Sequence, residues 1–217
     1  NKETEVVLGY GPYEKTKGLL NKIIRFDTLH IAVQYLSFAL AGLPYMGVGR
    51  NLAYRKKLFI EQKGFTSHYK VSSGDDDLFI NKVARSHNTR IEIANSSHML
   101  SRAKSSFGSW FRQKRRHLST GRYYRPRFKF LLGLYALSQS IFYALFILLI
   151  SLSYAWIIVL GAFALRLFTQ LIVLKKSGDR LNERDLLLFS PLLELALLLN
   201  QLLFSLLNLI SKPNKWK

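Results

Sequence analysis

The stretch Trp110-Phe-Arg-Gln-Lys-Arg-Arg-His117 marks the point at which this chain changes character. The sequence before it mixes polar and apolar residues as a soluble domain does, whereas the sequence from Phe128 onward is mostly apolar. The stretch itself is aromatic on one side and strongly basic on the other. This pattern predicts a helix in the interface of a membrane, placed between a folded head and a membrane anchor.

The charge distribution points to a membrane surface. The 217-residue chain has a net charge of +19, and ten Lys or Arg residues lie between Arg102 and Lys129. Each basic residue next to an anionic membrane contributes about 1 kcal/mol of binding. A nucleic-acid-binding protein can be equally basic, but this chain has no recognisable motif of that class. We therefore expect anionic lipids as partners and no nucleic acid. Because the chain has no cysteine, disulfides and Cys-ligated zinc are excluded.

Two long apolar segments follow the basic stretch. Leu131–Leu152 has no charged residue, and Tyr154–Leu174 has one, Arg166, so each is long enough to span a bilayer. The short link between them predicts a tight hairpin whose basic flanks lie on the same side of the membrane. By the positive-inside rule the head is then cytoplasmic, and a bacterial inner membrane is the expected location.

A third apolar segment, Leu186–Ile210, carries Glu194 and a proline. A spanning helix is the favoured interpretation, although it puts the C-terminal Lys212, Lys215 and Lys217 outside, against the positive-inside rule. An interfacial or re-entrant helix is the alternative. At about 1.5 Å per residue, Glu194 reaches nearly the same depth as Arg166. We expect these two charges to pair, because an unpaired charge inside a membrane is costly.

The sequence before the basic stretch predicts an α/β head. Glu5–Leu8 and Thr89–Ala94 have the composition of short strands, and Lys17–Leu40 has the apolar spacing of a long amphipathic helix. The chain opens without Met in sequence typical of the middle of a domain, so we expect a fragment of a larger protein. The expected divisions are a head over 1–104, an interfacial segment over 105–129 and a membrane part over 130–217.

Three adjacent acids, Asp75, Asp76 and Asp77, follow a Ser/Gly break and precede an apolar helical pattern. The positive end of a helix dipole favours acids there, so simple capping is one interpretation. Three neighbouring carboxylates repel one another, which raises the pKa of one of them and suits a general base. The segment by itself leaves both interpretations open.

A glycine-containing segment precedes the acids. Gly47 and Gly49 allow a ligand to approach the backbone closely. Arg50 and Asn51 offer hydrogen-bond donors to sugar hydroxyls or phosphate. An ordinary turn leading into a strand is the competing interpretation.

Taken together, three segments resemble the membrane-bound family-two glycosyltransferases, inverting enzymes with a GT-A-type head that include cellulose and hyaluronan synthases. Gly47-Val-Gly-Arg-Asn-Leu resembles the family's acceptor-side segment, and Gly74-Asp-Asp-Asp-Leu resembles the motif whose Asp is the catalytic base. Gln113-Lys-Arg-Arg-His117 resembles the Gln-x-x-Arg-Trp motif, with His117 where the family has Trp. The resemblance covers about residues 1 to 130.

The resemblance implies a partial GT-A-type head followed by an interfacial helix and two or three transmembrane helices. It implies a nucleotide-diphosphate sugar as donor and a glycan or lipid-linked acceptor. Asp75 or Asp76 would be the base. The expected substrate-binding residues are Gly47, Gly49, Arg50, Asn51, Asp77, Gln113, Arg115, Arg116 and His117, with Trp110, Phe111 and Lys114 left to the membrane.

A divalent cation, Mg²⁺ or Mn²⁺, is also implied by the resemblance. No Asp-x-Asp metal motif precedes Gly47, so its ligands and the nucleotide site are expected upstream of Asn1, and this chain alone is expected to be inactive. A non-catalytic basic membrane adaptor, which binds anionic lipid or a protein, is the alternative function. An adaptor has no use for three adjacent carboxylates.

Overall fold

The computed structural model describes residues 3–71 and 73–210. Its head is a small mixed sheet with helices packed against it. The elements of the head are β1 (Val6–Gly9), α1 (Leu19–Leu40), β2 (Leu52–Tyr54), α2 (Lys56–Glu61), α3 (Asp75–Val83) and β3 (Thr89–Glu92). The strand order is β2-β1-β3, in which β1 runs antiparallel to β2 and parallel to β3. The two predicted strands and the long helix are confirmed to within a few residues.

The core of the head forms where β1 meets α1 and α3. Val6 and Leu8, which alternate along β1, are fully buried, and so are Phe79 and Ile80 of α3. Tyr35 of α1 donates a hydrogen bond to the carbonyl of Gly9 at 2.6 Å, which ties the helix to the end of the strand. The carboxyl end of β1 and the first turn of α3 are thereby held against one rigid core.

The basic stretch forms helix α4 (Phe107–Leu118), followed by a 3₁₀ turn over Ser119–Tyr123. The side chain of Ser106 caps the helix by accepting from the Ser109 N–H at 3.3 Å. The prediction that Trp110 faces the membrane is wrong: it is 4% exposed and belongs to the core. Lys114 also turns inward, where its ammonium lies 2.7 Å from the Asp27 carboxylate on α1. Both side chains point into the protein because α4 packs against the head.

Three apolar helices follow: α5 (Pro126–Ser151), α6 (Trp156–Arg180) and α7 (Ser190–Ile210). Among the described residues, these three are long and apolar enough to cross a membrane. Helices α5 and α6 form the predicted hairpin and expose apolar side chains along much of their lengths. The chain is therefore a membrane protein with a helical membrane part.

The predicted pair between Arg166 and Glu194 is confirmed. The guanidinium of Arg166 lies 2.7 Å from Glu194 Oε1, and the Glu194 side chain is 7% exposed. Gln139 and Tyr143 of α5 donate to the same carboxylate at 2.8 and 3.3 Å. Every oxygen of this buried carboxylate thus has a partner, as a charge at this depth requires.

A second ion cluster ties the loop after α6 to the head. Glu183 and Arg25 form a buried ion pair, and Tyr10 at the end of β1 donates to Glu183 at 3.2 Å. Asp185 accepts from the same guanidinium at 2.6 Å and from Lys15 at 3.2 Å. The membrane hairpin is therefore attached to the head at its returning end as well as through α4.

Helix α7 crosses from this loop to α4. Near its start Glu194 contacts α5 and α6, and near its end Phe204 packs on Phe111 with ring centroids 4.6 Å apart. In the last turn Asn208 accepts a hydrogen bond from Arg115 at 3.0 Å. The C-terminal lysines, whose side of the membrane was predicted, lie outside the described residues.

Candidate active site

The three acids occupy the first turn of α3, directly after a glycine that the fold requires. Gly74 has φ of 84°, in the left-handed region that favours glycine. A Cβ on Gly74 would also lie 2.2 Å from Cγ2 of Thr120, a fully buried residue in the turn after α4. The acidic turn and the basic helix are therefore packed directly onto one another.

Asp76 is held by backbone N–H groups. Its Oδ2 accepts from the Gly49 N–H at 2.5 Å, and its Oδ1 accepts from the Asp77 N–H at 3.0 Å. A Cβ on Gly49 would lie 2.7 Å from Asp76 Oδ2, so the close approach needs a glycine. Asp75, one residue earlier, is exposed. The two candidate bases thus have different surroundings.

Asp77 is the acid with the most perturbed ionisation. Burial raises its pKa well above the usual range, and the nearby Asp76 carboxylate raises it further. A hydrogen bond from Tyr124 and the positive charge of Lys114 act in the opposite direction but do not outweigh burial. The fold therefore favours the protonated form of the Asp77 carboxyl.

A smaller cavity of about 410 Å³ brings the acids and the basic helix together. Its lining includes Asp75 and Asp76 of α3, Arg116 and His117 of α4, and Gly49 and Tyr54. The pKa of His117 falls to about 4 because the surrounding protein desolvates the ring and, second, because Lys114 and Arg116 are close. Its imidazole is therefore neutral near pH 7, while its exposed face remains available to a ligand.

A larger cavity of about 530 Å³ begins at the same acids and runs toward the membrane part. It passes between α1 and α4 and ends on side chains of α5 and α7. The lining is mixed, with carboxylates, amides and aromatic rings. The polar and ionisable residues in its lining include Asp27, His30, Arg50, Asp76, Asp77, Gln113, Lys114, His117, Tyr135, Gln139 and Glu194.

The structure brings most of the predicted site residues to these cavities, but not all. Gly47 and Asn51 line neither one: Gly47 packs on the core, and the Asn51 amide donates to the Tyr10 carbonyl at 2.7 Å. Arg115 also points elsewhere, because its guanidinium holds the last turn of α7. Each remaining predicted residue lines one of the two cavities, and Gly49, Asp76 and His117 line both.

Asp27, Lys114 and Tyr124 belong to the site but were not predicted there. Asp27 could have been found from the sequence, since it follows Ile23 and Ile24 at helical spacing and so lies on the apolar face of α1. An acid on a buried face requires a partner. Nothing in the sequence indicates that Lys114, far along the chain, is that partner.

The comparison with known families decides the class of protein. The family described as "Glycosyl transferase family group 2" matches residues 7–170, which include both cavities' head-side residues and most of the membrane hairpin. The chain belongs to this family. Curated proteins and solved structures return no match.

The glycosyltransferase assignment decides between the two functions considered above. A family-two glycosyltransferase is an enzyme that uses a sugar donor and an acceptor, so the adaptor interpretation is set aside. Enzymes of this family commonly use a divalent cation. Among residues 3–71 and 73–210, however, no three His, Asp or Glu side chains converge as a metal site. The acidic side chains of the described residues therefore do not supply a complete set of metal ligands.

Proposed function

We propose that this glycosyltransferase transfers a sugar from a nucleotide-diphosphate sugar to an acceptor hydroxyl at the membrane surface, with inversion and with Asp76 as general base. The single observation that supports this most is that Asp76, Arg116 and His117 line the same smaller cavity. A base and a cation in one cavity are what an inverting transfer needs. In this reaction one oxygen nucleophile enters as a diphosphate leaves.

Asp76 is a better candidate for the base than Asp75 because of its position. It lines both cavities, whereas Asp75 lines only the smaller one. The Gly49 N–H also orients its carboxylate, and a base must be held within hydrogen-bond reach of the proton it takes. Asp77, whose raised pKa favours the protonated form, would hydrogen-bond the acceptor beside Asp76.

In the proposed reaction the acceptor hydroxyl gives its proton to Asp76 as its oxygen forms a bond to the anomeric carbon. The bond from that carbon to the diphosphate oxygen breaks, and the nucleoside diphosphate leaves with the electron pair. Arg116 would bind the diphosphate, since a guanidinium makes bidentate contacts to phosphate oxygens. Gln113 and the neutral His117 lie on the same helix and would orient the reacting sugar or the acceptor.

The larger cavity supports a hydroxyl-rich acceptor. Its lining combines carboxylates with amides and aromatic rings. Of its cations, Lys114 is already paired with Asp27, and Arg50 donates to the Pro12 carbonyl and lies over the Tyr13 ring. An anionic acceptor would meet uncompensated carboxylates there, whereas sugar hydroxyls can donate to them. A glycan, growing or lipid-linked, is the acceptor class we propose, with the head on the cytoplasmic face as the positive-inside rule predicts.

The test uses the full-length protein in membranes, supplied in turn with UDP- and GDP-linked sugars, and measures release of the nucleoside diphosphate. Asp76→Asn should lower turnover by about 10²–10⁴-fold, the usual contribution of a general base. Binding of the nucleoside diphosphate itself should be retained, because the base does not hold it.

Asp75→Asn is the matched control, since it removes the adjacent exposed carboxylate and should retain most of the activity. Loss of turnover in Asp75→Asn alone would move the base to Asp75. Normal turnover in both variants would refute a role for this acidic turn in catalysis. A further variant, Arg116→Ala, should weaken nucleoside diphosphate binding without affecting folding.

A further inference from the structure

Helix α7 is apolar enough to cross a bilayer, yet its contacts tie both of its ends to the head. The loop before it is anchored by the buried pair of Glu183 and Arg25. Its last turn is anchored by Arg115 on α4, which donates to the Asn208 side chain and to the Leu207 carbonyl, each at 3.0 Å. A helix that crossed the membrane would have its second end on the far side, next to the turn between α5 and α6.

The depth of the contacts along α7 agrees with a segment that enters the membrane and returns to the head. Glu194 meets Gln139 and Arg166, which lie ten and nine residues from Lys129 and Lys175, the basic residues nearest to them on α5 and α6. At about 1.5 Å per residue this is roughly 15 Å below the basic flanks. Ten residues later Phe204 already packs on Trp110 and Phe111 of α4. The second half of α7 therefore rises back toward the head.

The two faces of α7 differ in the way that this path requires. One face carries Leu193, Glu194, Leu198 and Phe204, all buried against the head or the hairpin. The opposite face exposes a stripe of leucines at helical spacing: Leu192, Leu195, Leu199, Leu202, Leu203 and Leu206. Such a stripe beside equally apolar, exposed surfaces of α5 and α6 fits acyl chains.

We infer that α7 does not cross the membrane but lies within the leaflet on the head's side, with its leucine stripe in contact with acyl chains. The inner face of α7 then forms the floor of the larger cavity, where Glu194, Leu198 and Phe204 line it. The segment after Ile210 would emerge on the same side as the head. This agrees with the positive-inside rule for Lys212, Lys215 and Lys217.

This chain contains no cysteine, so single cysteines placed in it report its sidedness once any cysteine elsewhere in the full-length protein has been replaced. Single cysteines are introduced as Asn214→Cys after α7, as Ser86→Cys on the exposed surface of the head, and as Tyr154→Cys in the exposed turn between α5 and α6. Each full-length variant is treated in sealed membrane vesicles with a membrane-impermeant maleimide. Asn214→Cys should be labelled from the same side as Ser86→Cys. Labelling from the side of Tyr154→Cys would show that α7 crosses and would overturn the inference.

A cross-link tests the docking of α7 on α4 without relying on sidedness. The double variant Phe111→Cys/Phe204→Cys should form an intramolecular disulfide on mild oxidation. The matched control Phe111→Cys/Leu203→Cys, whose second position faces away from α4, should form little. Equal yields in the two variants, or none in the first, would contradict this position of α7.

A spin label at Leu199→Cys identifies what covers the leucine stripe. Collisions with dissolved oxygen but not with a polar nickel chelate are expected if acyl chains cover it. Protection from both reagents would show a protein cover, such as a second copy of the chain, and would overturn the lipid assignment. None of these measurements depends on the sugar donor, so they can fail or succeed independently of the proposed activity.

Discussion

The carboxylates at the two ends of the larger cavity have contrasting surroundings. At the membrane end, Glu194 is in direct contact with Arg166, Gln139 and Tyr143, so its charge is balanced atom by atom. At the head end, Asp76 and Asp77 accept from backbone N–H groups and a phenol. The cations that share a cavity lining with Asp76, Arg116 in the smaller cavity and Lys114 in the larger, lie on another helix, α4. A paired carboxylate stabilises the fold, whereas a carboxylate that lines a cavity together with a cation can bind and react.

The largest effect should come from removing the charge of Glu194 at the membrane end of the cavity. Glu194→Gln leaves the Arg166 guanidinium without a counter-charge at a partly buried position, which should cost about 2–3 kcal/mol. For a protein of this size that corresponds to a fall in melting temperature of roughly 4–12 °C. Thermal unfolding of the purified protein in detergent measures it.

The control for this prediction removes the same charge from an exposed pair. Glu61 lies 3.8 Å from Lys57 on α2, and both side chains are more than half exposed. Because exposed pairs contribute about 0–1 kcal/mol, Glu61→Gln should leave the melting temperature nearly unchanged. Equal melting curves for Glu194→Gln and the parent protein would show that Glu194 is not a structural carboxylate.

A smaller effect, on turnover, is expected at Asp27, which is both ion-paired and part of a cavity lining. Its carboxylate is paired with Lys114, as in a structural pair, but the pair lies in the wall of the larger cavity. Asp27→Asn should release Lys114 and let α4 shift relative to Asp76. A misplacement of this kind lowers turnover by roughly 10- to 100-fold. The measurement is donor turnover in membranes, with kcat expected to fall more than KM rises.

Asp179→Asn is the comparison variant for Asp27. It breaks an exposed pair with Arg184, 2.6 Å apart, away from either cavity, and should leave turnover unaffected. If Lys114→Gln and the double variant with Asp27→Asn lose activity additively, the two residues act separately and the positioning role is wrong.

The smallest effect, and of opposite sign, is expected at Asp77. Its folded-state pKa is raised, so the folded protein binds more protons than the unfolded chain in the window above the usual pKa of an aspartate. Stability from this residue is therefore lost as pH rises through that window. Asp77→Asn, which stays neutral, should melt about 2–4 °C higher than the parent protein at neutral pH, the shift that 1 kcal/mol produces.

The pH dependence makes the Asp77 prediction specific. The difference between Asp77→Asn and the parent should shrink as pH falls, because protonation makes the two side chains alike in charge. A lower melting temperature for Asp77→Asn at every pH would mean that the hydrogen bond with Tyr124, and not the ionisation, dominates at this position.

Much of this molecule can be predicted from the sequence because the signals are local. Apolar spacing predicted α1 and the membrane hairpin, and the Ser/Gly break before three acids predicted the start of α3. The Arg166–Glu194 pair followed from depth alone, since two opposite charges at one level of a membrane have few alternatives. The motif residues Asp76, Gln113, Arg116 and His117 were predicted for the same reason: each lies in a short pattern of residue types.

Contacts between distant segments were decided only by the tertiary structure. The sequence of α4 allows Lys114 and Arg115 equally to face lipid, substrate or protein. Their partners, Asp27 and Asn208, lie 87 and 93 residues away, so no local pattern names them. The position of α7 was likewise decided by distant contacts. Hydropathy shows that this helix can enter a membrane, but it does not show that Arg115 binds its last turn. The sequence by itself thus determined which charges and apolar segments exist, and packing determined which of them meet.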